Sequence, residues 1–156
     1  MNDPMEGQYF NRSDKLSAEF KATLKGEKDN YGICSLSAIS DNKLKWAYYA
    51  NGHTGIAIGV EVSQNTDLHP VEYKGLSGLS ESFENKPSEA ARQILSRKLE
   101  IWDYEEEYRA FVLNDRYVEA DIKEAVFGRR VSPENIIFFK KLFSTFIQGL
   151  EYKEEV

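Results

Sequence analysis

Residue types that would identify a metal or disulfide protein are scarce in this chain. Its 156 residues include one cysteine, Cys34, and two histidines, His53 and His69. A lone cysteine cannot form an intrachain disulfide and cannot supply a cysteine-based zinc site. A site based on His53 would need partners that the chain hardly offers. We therefore expect no bound metal, and we interpret Cys34 as an inert buried thiol in an apolar strand.

Long apolar runs and excess positive charge are also absent. No apolar run approaches the about 18 residues of a membrane span, and no basic-then-apolar leader opens the chain. The formal net charge is -6, which argues against a duplex nucleic-acid partner because phosphate neutralisation needs a basic face. The composition therefore predicts a soluble, cytoplasmic protein whose partner is a small molecule, such as a nucleotide, or another protein.

The sequence also has no standard phosphate-binding or nucleophile motif. It contains neither GxxxxGK nor GxGxxG. Ser35 and Ser37 lack the glycines of a nucleophile elbow, so a hydrolase triad is weakly supported and would need His53 beside one of them.

Hydrophobic periodicity indicates helices and strands without a steady alternation, which predicts the α+β class. We expect one domain, residues 1–156, with a mixed, mainly antiparallel sheet of about five strands flanked by three to four helices. The predicted helices run from Asp14, capped by Ser13, to about Lys25, where Gly26 ends the helix; over 42–50, capped by Asp41; from the cap Ser88 to about Trp102; and onward from Ser132-Pro133. The predicted strands cover 31–38, 55–62, 71–74, 106–113 and 122–128.

Three further expectations concern exposure. Residues 75–87, rich in Gly, Ser and Glu, are predicted to form a mobile loop or a lid-like insertion. The tail EYKEEV is predicted to be frayed. The last helix should bury an apolar stripe made of Ile136, Phe139, Phe143, Phe146 and Leu150.

Residues 31–62 hold the densest cluster of chemically capable side chains. The cluster combines hydroxyls, aromatic rings, one amide and one imidazole, contributed by Ser35, Ser37, Trp46, Tyr48, Tyr49, Asn51 and His53. The imidazole has either an acid/base role or a structural one, in which it fixes the turn by bonding backbone. The three rings either stack on a flat ligand or pack as core, and core is the better interpretation for at least two of them.

The carboxylates suited to chemistry lie some fifty residues further on. Glu105, Glu107 and Arg109 alternate along the predicted strand, each pair about 6.5–7 Å apart on one face. On a half-buried face the arginine would hold one carboxylate ionised while burial raised the pKa of the other. The alternative is a charged outer face or an internal salt bridge that anchors the strand. A joint site requires residues 46–53 and 105–109 to face one pocket.

Four short motifs follow one another along nearly the whole chain. They are Asn2, Asp3, Pro4 and Glu6; Ser35 and Ser37 with Trp46, Tyr49, Ala50, His53 and Gly55; Trp102, Tyr104, Glu105, Glu107, Tyr108 and Arg109; and Ile122, Glu124 and Gly128. Their order and spacing resemble the uncharacterised bacterial family known as domain of unknown function 2971. The resemblance implies no established activity. Members of that family usually have a preceding segment, so we expect this chain to be a shortened member or a fragment.

Two functional hypotheses follow. The first is an ADP-ribosyltransferase-like enzyme, or a nucleotide-binding relative, with NAD as its cofactor; it rests on fold-level analogy. In this hypothesis Glu107, or as second choice Glu105, orients the sugar of the cofactor. Tyr49 stacks on a flat ring of the ligand. Ser37 and His53 hold the ribose or the amide, and Arg109 contacts the phosphate. The second is a non-enzymatic defence or regulatory interaction module, in which these motifs are structural.

Overall fold

The computed structural model describes residues 5–11 and 16–156 and has an α+β fold, as predicted. The helices are α1 (Ala18–Asp29), α2 (Lys43–Tyr49), α3 (Pro87–Leu95) and α4 (Pro133–Phe146), with short 3-10 helices at Glu81–Phe83 and Glu100–Glu105. The strands are β1 (Tyr9–Asn11), β2 (Tyr31–Ser37), β3 (Ile56–Val62), β4 (Asp67–Pro70), β5 (Glu72–Tyr73), β6 (Ser77–Leu79), β7 (Arg97–Lys98), β8 (Glu107–Leu113), β9 (Ala120–Phe127) and β10 (Glu151–Glu154). No helix in the described part of the chain is long and apolar enough to cross a membrane.

The chain forms two compact units, each built from two separate stretches. Unit 1 comprises Met1–Ala38 and Thr66–Val118, and unit 2 comprises Ile39–Asn65 and Glu119–Val156. The strands are divided among two three-stranded sheets and two short two-stranded pairs instead of one sheet of about five. That the whole chain is one domain stays a prediction.

The three-stranded sheet of unit 1 has β8 at its centre. Strand β2 pairs antiparallel with one edge of β8 and strand β4 with the other. The strand over 106–113 was predicted from its alternating pattern and is confirmed at Glu107–Leu113. Strand β4, with the sequence DLHP, was missed because four residues ending in proline carry almost no strand signal.

Helices α1 and α3 supply the core of unit 1. The buried cluster is apolar and consists of Leu16, Phe20, Leu24, Leu79, Ala90, Ala91 and Ile94. Ser17 caps α1 by accepting a hydrogen bond from the Phe20 amide. The predicted end of this helix at Gly26 is wrong, since α1 continues through it to Asp29. The predicted cap, Ser13, lies outside the described residues.

Residues 75–87 are not the mobile loop that their composition suggests. Ser77 and Leu79 have no exposed surface, and strand β6 pairs in parallel with β1. The burial of Leu79 in the helical core outweighs the low strand propensity of the surrounding Gly and Ser.

The predicted long helix from Ser88 to Trp102 is also wrong. Helix α3 starts at Pro87, ends at Leu95, and is followed by strand β7, which pairs in parallel with β5. The Glu72 amide donates to the Ser96 carbonyl oxygen. Pairing with a distant strand thus replaces the local helical pattern, which is how tertiary contacts override propensity.

The sheet of unit 2 has β9 at its centre, antiparallel to β3 and parallel to β10. Strand β10 corrects the prediction of a frayed tail. Gly59 in β3 faces its cross-strand partner Glu124 so closely that a side chain there would collide with it. The register shifts beside Gly59, as in a β-bulge.

Helix α4 begins where predicted, with Ser132 as cap and Pro133 in the first turn. Its predicted buried stripe is wrong. No residue of α4 is fully buried; Ile136, Phe139 and Phe143 are half-buried, and Phe146 is 78% exposed. Leu150 is buried but follows the helix.

Candidate functional site

The predicted catalytic strand carries two buried charges, not three. Glu107 and Arg109 lie two residues apart on β8 and are 5% and 1% exposed. Glu105 ends the preceding 3-10 helix, and Glu106 takes a left-handed conformation with φ 42°. That turn moves Glu105 off the strand, so the prediction that all three share one strand face is wrong. Glu105 is nevertheless buried, at 3% exposed.

Arg109 is the centre of a buried ionic network. Its Nε donates to Oε1 of Glu107 at 2.9 Å, and its Nη2 donates to Oε1 of Glu6. Its Nη1 donates to the backbone oxygen of Leu95. One guanidinium thus connects the N-terminal segment, strand β8 and the end of helix α3. A buried arginine needs such acceptors because an unpaired buried charge is very costly.

Lys98 completes the network from strand β7. Its Nζ lies 2.6 Å from Oε2 of Glu105 and 2.6 Å from Oε2 of Glu107. It also lies 4.0 Å from Oε2 of Glu6. The contact with Glu107 is short but lies outside hydrogen-bond geometry, so we treat it as a charge pair. Two cations and three carboxylates give this network, which we call the Arg109 network, a formal charge of −1.

The network favours the charged forms of Glu107 and Lys98. Burial raises the pKa of Glu107, but contacts with Arg109, Lys98 and Ser35 outweigh it, so its pKa is lowered. Burial lowers the pKa of Lys98, yet the adjacent carboxylates of Glu105 and Glu107 raise it overall. Near neutral pH, Glu107 is therefore an ionised hydrogen-bond acceptor.

The two predicted serines lie beside this network on strand β2. Ser35 is in register with Arg109 and Ser37 with Glu107. The Ser35 hydroxyl is one of the groups that lower the pKa of Glu107. Tyr73, which the sequence did not single out, accepts a hydrogen bond from the Glu107 amide at 2.8 Å. Burial is the main cause that raises the pKa of Tyr73.

The other predicted residues belong to unit 2, where α2 carries the aromatic rings. Asn42, not the predicted Asp41, caps this helix. Trp46 is buried and its Nε1 donates to the Ser40 carbonyl oxygen at 2.6 Å. Tyr48 and Tyr49 are 64% and 56% exposed. The prediction that at least two of the three rings are core is wrong, because α2 buries only the face that contains Trp46.

His53 is buried at a left-handed position, with φ 69°. Its Nδ1 lies 2.7 Å from Oε1 of Glu155, and its Nε2 lies 3.3 Å from Nη2 of Arg129. Its backbone oxygen accepts from the Arg130 amide. For Glu155, burial raises the pKa, but the Arg129 amide and His53 lower it overall. Glu155 was missed because the tail was expected to be frayed.

The structure thus groups the predicted site residues in two sets. Unit 1 contains Ser35, Ser37, Glu105, Glu107 and Arg109, and unit 2 contains Trp46, Tyr49 and His53. The joint pocket and the Ser-His hydrolase pairing both combine residues of the two units, and they stay predictions. Lys98 and Glu6 were missed as network members: Lys98 was assigned to a helix, and nothing local connects Glu6 to Arg109.

No group of three or more His, Cys, Asp or Glu side chains within 5–11 and 16–156 is arranged to hold a metal ion. Comparison of the chain with family models, with curated proteins and with solved structures finds no match in any of the three.

Proposed function

We propose that this chain is a non-enzymatic interaction module with a defence or regulatory role, whose charged motif on β8 is structural. The observation that carries this proposal is the Arg109 network. Glu107, the residue assigned to catalysis, is 5% exposed and contacts two cations of its own chain. A catalytic carboxylate must reach the reacting atoms of a substrate, whereas this one pairs with Arg109 on its own strand and ties β8 to β7 through Lys98.

The surface of unit 2 supports the same proposal. Large apolar side chains are exposed on α2 and α4: Tyr48, Tyr49, Ile137, Phe138 and Phe146. Aromatic side chains are enriched in protein interfaces relative to the rest of protein surfaces. We therefore propose a protein partner, in the cytoplasm, as the scarcity of cysteine suggests. Because the four motifs follow one another in the order typical of domain of unknown function 2971, we also propose that the chain belongs to that family.

The rival function is the ADP-ribosyltransferase-like enzyme, and titration with NAD separates the two. We expect the full chain to give no binding heat, no rise in its thermal midpoint and no release of nicotinamide. Glu107→Gln tests the catalytic role. Glu106→Gln is the matched control, because Glu106 is exposed and precedes the same strand. Saturable NAD binding that Glu106→Gln retains and Glu107→Gln abolishes would overturn the module proposal.

A further inference from the structure

The turn that carries His53 is conformationally unusual. Asn51, Gly52 and His53 all have positive φ, at 47°, 66° and 69°. Such a conformation costs energy in residues with a side chain, and it persists only where surrounding contacts fix it. Here the His53 amide donates to the Trp46 oxygen, and the His53 oxygen accepts from the Arg130 amide. Backbone strain of this kind concentrates at ligand sites.

The contacts of His53 assign its tautomer. Glu155 is ionised, so the Nδ1 that faces it carries the proton. Nε2 faces the guanidinium of Arg129, which can only donate. In this arrangement Nδ1 of His53 donates to Glu155 and Nε2 accepts from Arg129. The charged side chains that contact its ring are Glu155 on one side and Arg129 on the other; Arg130 contacts only its backbone oxygen.

Arg129 and Arg130 lie in the turn after β9, are exposed, and have guanidinium groups that contact neutral acceptors. Arg129 contacts His53 Nε2, and Arg130 Nη1 donates to the Gly52 oxygen at 3.4 Å. Within the described ranges neither guanidinium makes an ion pair, although the chain has 26 acidic and 20 basic residues. In the described part of the chain each guanidinium has one hydrogen-bond partner, a neutral acceptor, so both have donors left for an anion, and their donor geometry suits phosphate.

We propose that His53, Arg129 and Arg130 form a binding site for the phosphate group of a small molecule, and that binding is coupled to proton uptake by His53. The phosphate oxygens accept hydrogen bonds from both guanidinium groups, which removes Arg129 from Nε2. Nε2 then takes a proton from solvent and donates it as a hydrogen bond to the phosphate. Glu155 stabilises the resulting imidazolium through Nδ1. This proposal is independent of the module proposal.

Titration of the full chain with inorganic phosphate, pyrophosphate, ADP and sulfate tests the site by calorimetry and by the NMR signals of the His53 ring. We expect saturable binding, a His53 shift towards the imidazolium, and heats that change with buffer ionisation enthalpy as a proton is taken up. Sulfate does not change its charge between about pH 6 and about pH 8, so a change in its affinity over this range reports the protonation of His53. We expect the affinity for sulfate to be at least about 10-fold higher near pH 6 than near pH 8. Equal affinity for pyrophosphate and ADP would indicate that the site recognises the phosphate group alone. Tighter binding of ADP would indicate a nucleotide ligand. Both outcomes support phosphate recognition.

Arginine variants complete the test. Arg129→Gln and Arg130→Gln should each weaken pyrophosphate binding at least about 10-fold, whereas Arg116→Gln, which removes an exposed arginine from unit 1, should leave binding unchanged. His53→Asn keeps a residue that tolerates left-handed φ, and it should remove the pH dependence. If sulfate affinity does not depend on pH, or if Arg116→Gln weakens binding as much as Arg129→Gln, the proposal is wrong. The amide NMR spectrum of each variant shows whether it is folded. If Arg129→Gln is unfolded, the binding affinity of Arg130→Gln alone tests the proposal.

Discussion

At the residue scale, Lys98 is the cation that Glu105 and Glu107 share in the Arg109 network. Its side chain is 6% exposed and lies 2.6 Å from carboxylate oxygens of both Glu105 and Glu107. Lys98→Met would leave these carboxylates buried without their shared cation. We expect the free energy of unfolding to fall by about 3–5 kcal/mol, the cost of breaking a buried charge pair by removing one partner. Urea denaturation near neutral pH measures this change.

Lys86→Met is the matched control for that prediction. Lys86 forms an exposed pair with Glu89, with side chains 54% and 64% exposed. Exposed pairs contribute about 0–1 kcal/mol, so this variant should remain close to the wild type. Similar losses for both lysine variants would contradict the assignment of Lys98 to a structural network.

The charged pattern of β8 was visible in the sequence, but its partners were not. Alternation of Glu107 and Arg109 predicts that they share a face, and the structure confirms it. Glu6 is 103 residues away from Arg109, and no local rule connects such positions. The same holds for His53 and Glu155, which are 102 residues apart. Sequence reasoning singled out Arg109 and His53 as site residues, but it had no means of pairing them with partners so far away along the chain.

At the element scale, two glycines give opposite predictions. A Cβ at Gly128 would lie 2.8 Å from the His53 carbonyl carbon, so strand β9 and the His53 turn would have to separate. Gly128→Ala should lower the free energy of unfolding by about 1–3 kcal/mol, as overpacking does. Gly26 lies inside α1 with nothing within 4 Å, so Gly26→Ala should raise it by about 0.5–1 kcal/mol. Thermal unfolding of both variants measures the contrast, and destabilisation by Gly26→Ala would contradict the helical assignment.

The elements that sequence reasoning predicted correctly are those with strong local signals. The cap Ser132 and Pro133 located the start of α4, and alternating apolar residues located β3 and β8. Several of the errors fall where pairing with a distant strand determines the structure. Strands β6, β7 and β10 each pair in parallel with a partner that lies far along the chain, and a parallel edge strand of two to four residues leaves no periodic pattern to recognise.

At the scale of the whole molecule, acid should destabilise both units, because each contains a buried carboxylate with a lowered pKa. These are Glu107 in unit 1 and Glu155 in unit 2. In the unfolded chain both carboxyls return to an ordinary pKa of about 4.3. Above that value their contribution to stability is complete. As pH falls through it the unfolded state binds more protons, so the free energy of unfolding decreases until the folded pKa values are passed.

Urea denaturation at a series of pH values from about 6 down to about 3 tests this linkage, since stability changes with pH wherever the two states bind different numbers of protons. We expect the wild type to lose stability steadily below about pH 5, and the double variant Glu107→Gln/Glu155→Gln to start less stable but with a shallower slope. A Glu106→Gln/Glu154→Gln variant changes exposed neighbours of the same residues and should keep the wild-type slope. Parallel curves for all three proteins would mean that neither carboxylate binds fewer protons in the folded state, and the ionic assignment of both units would then be wrong.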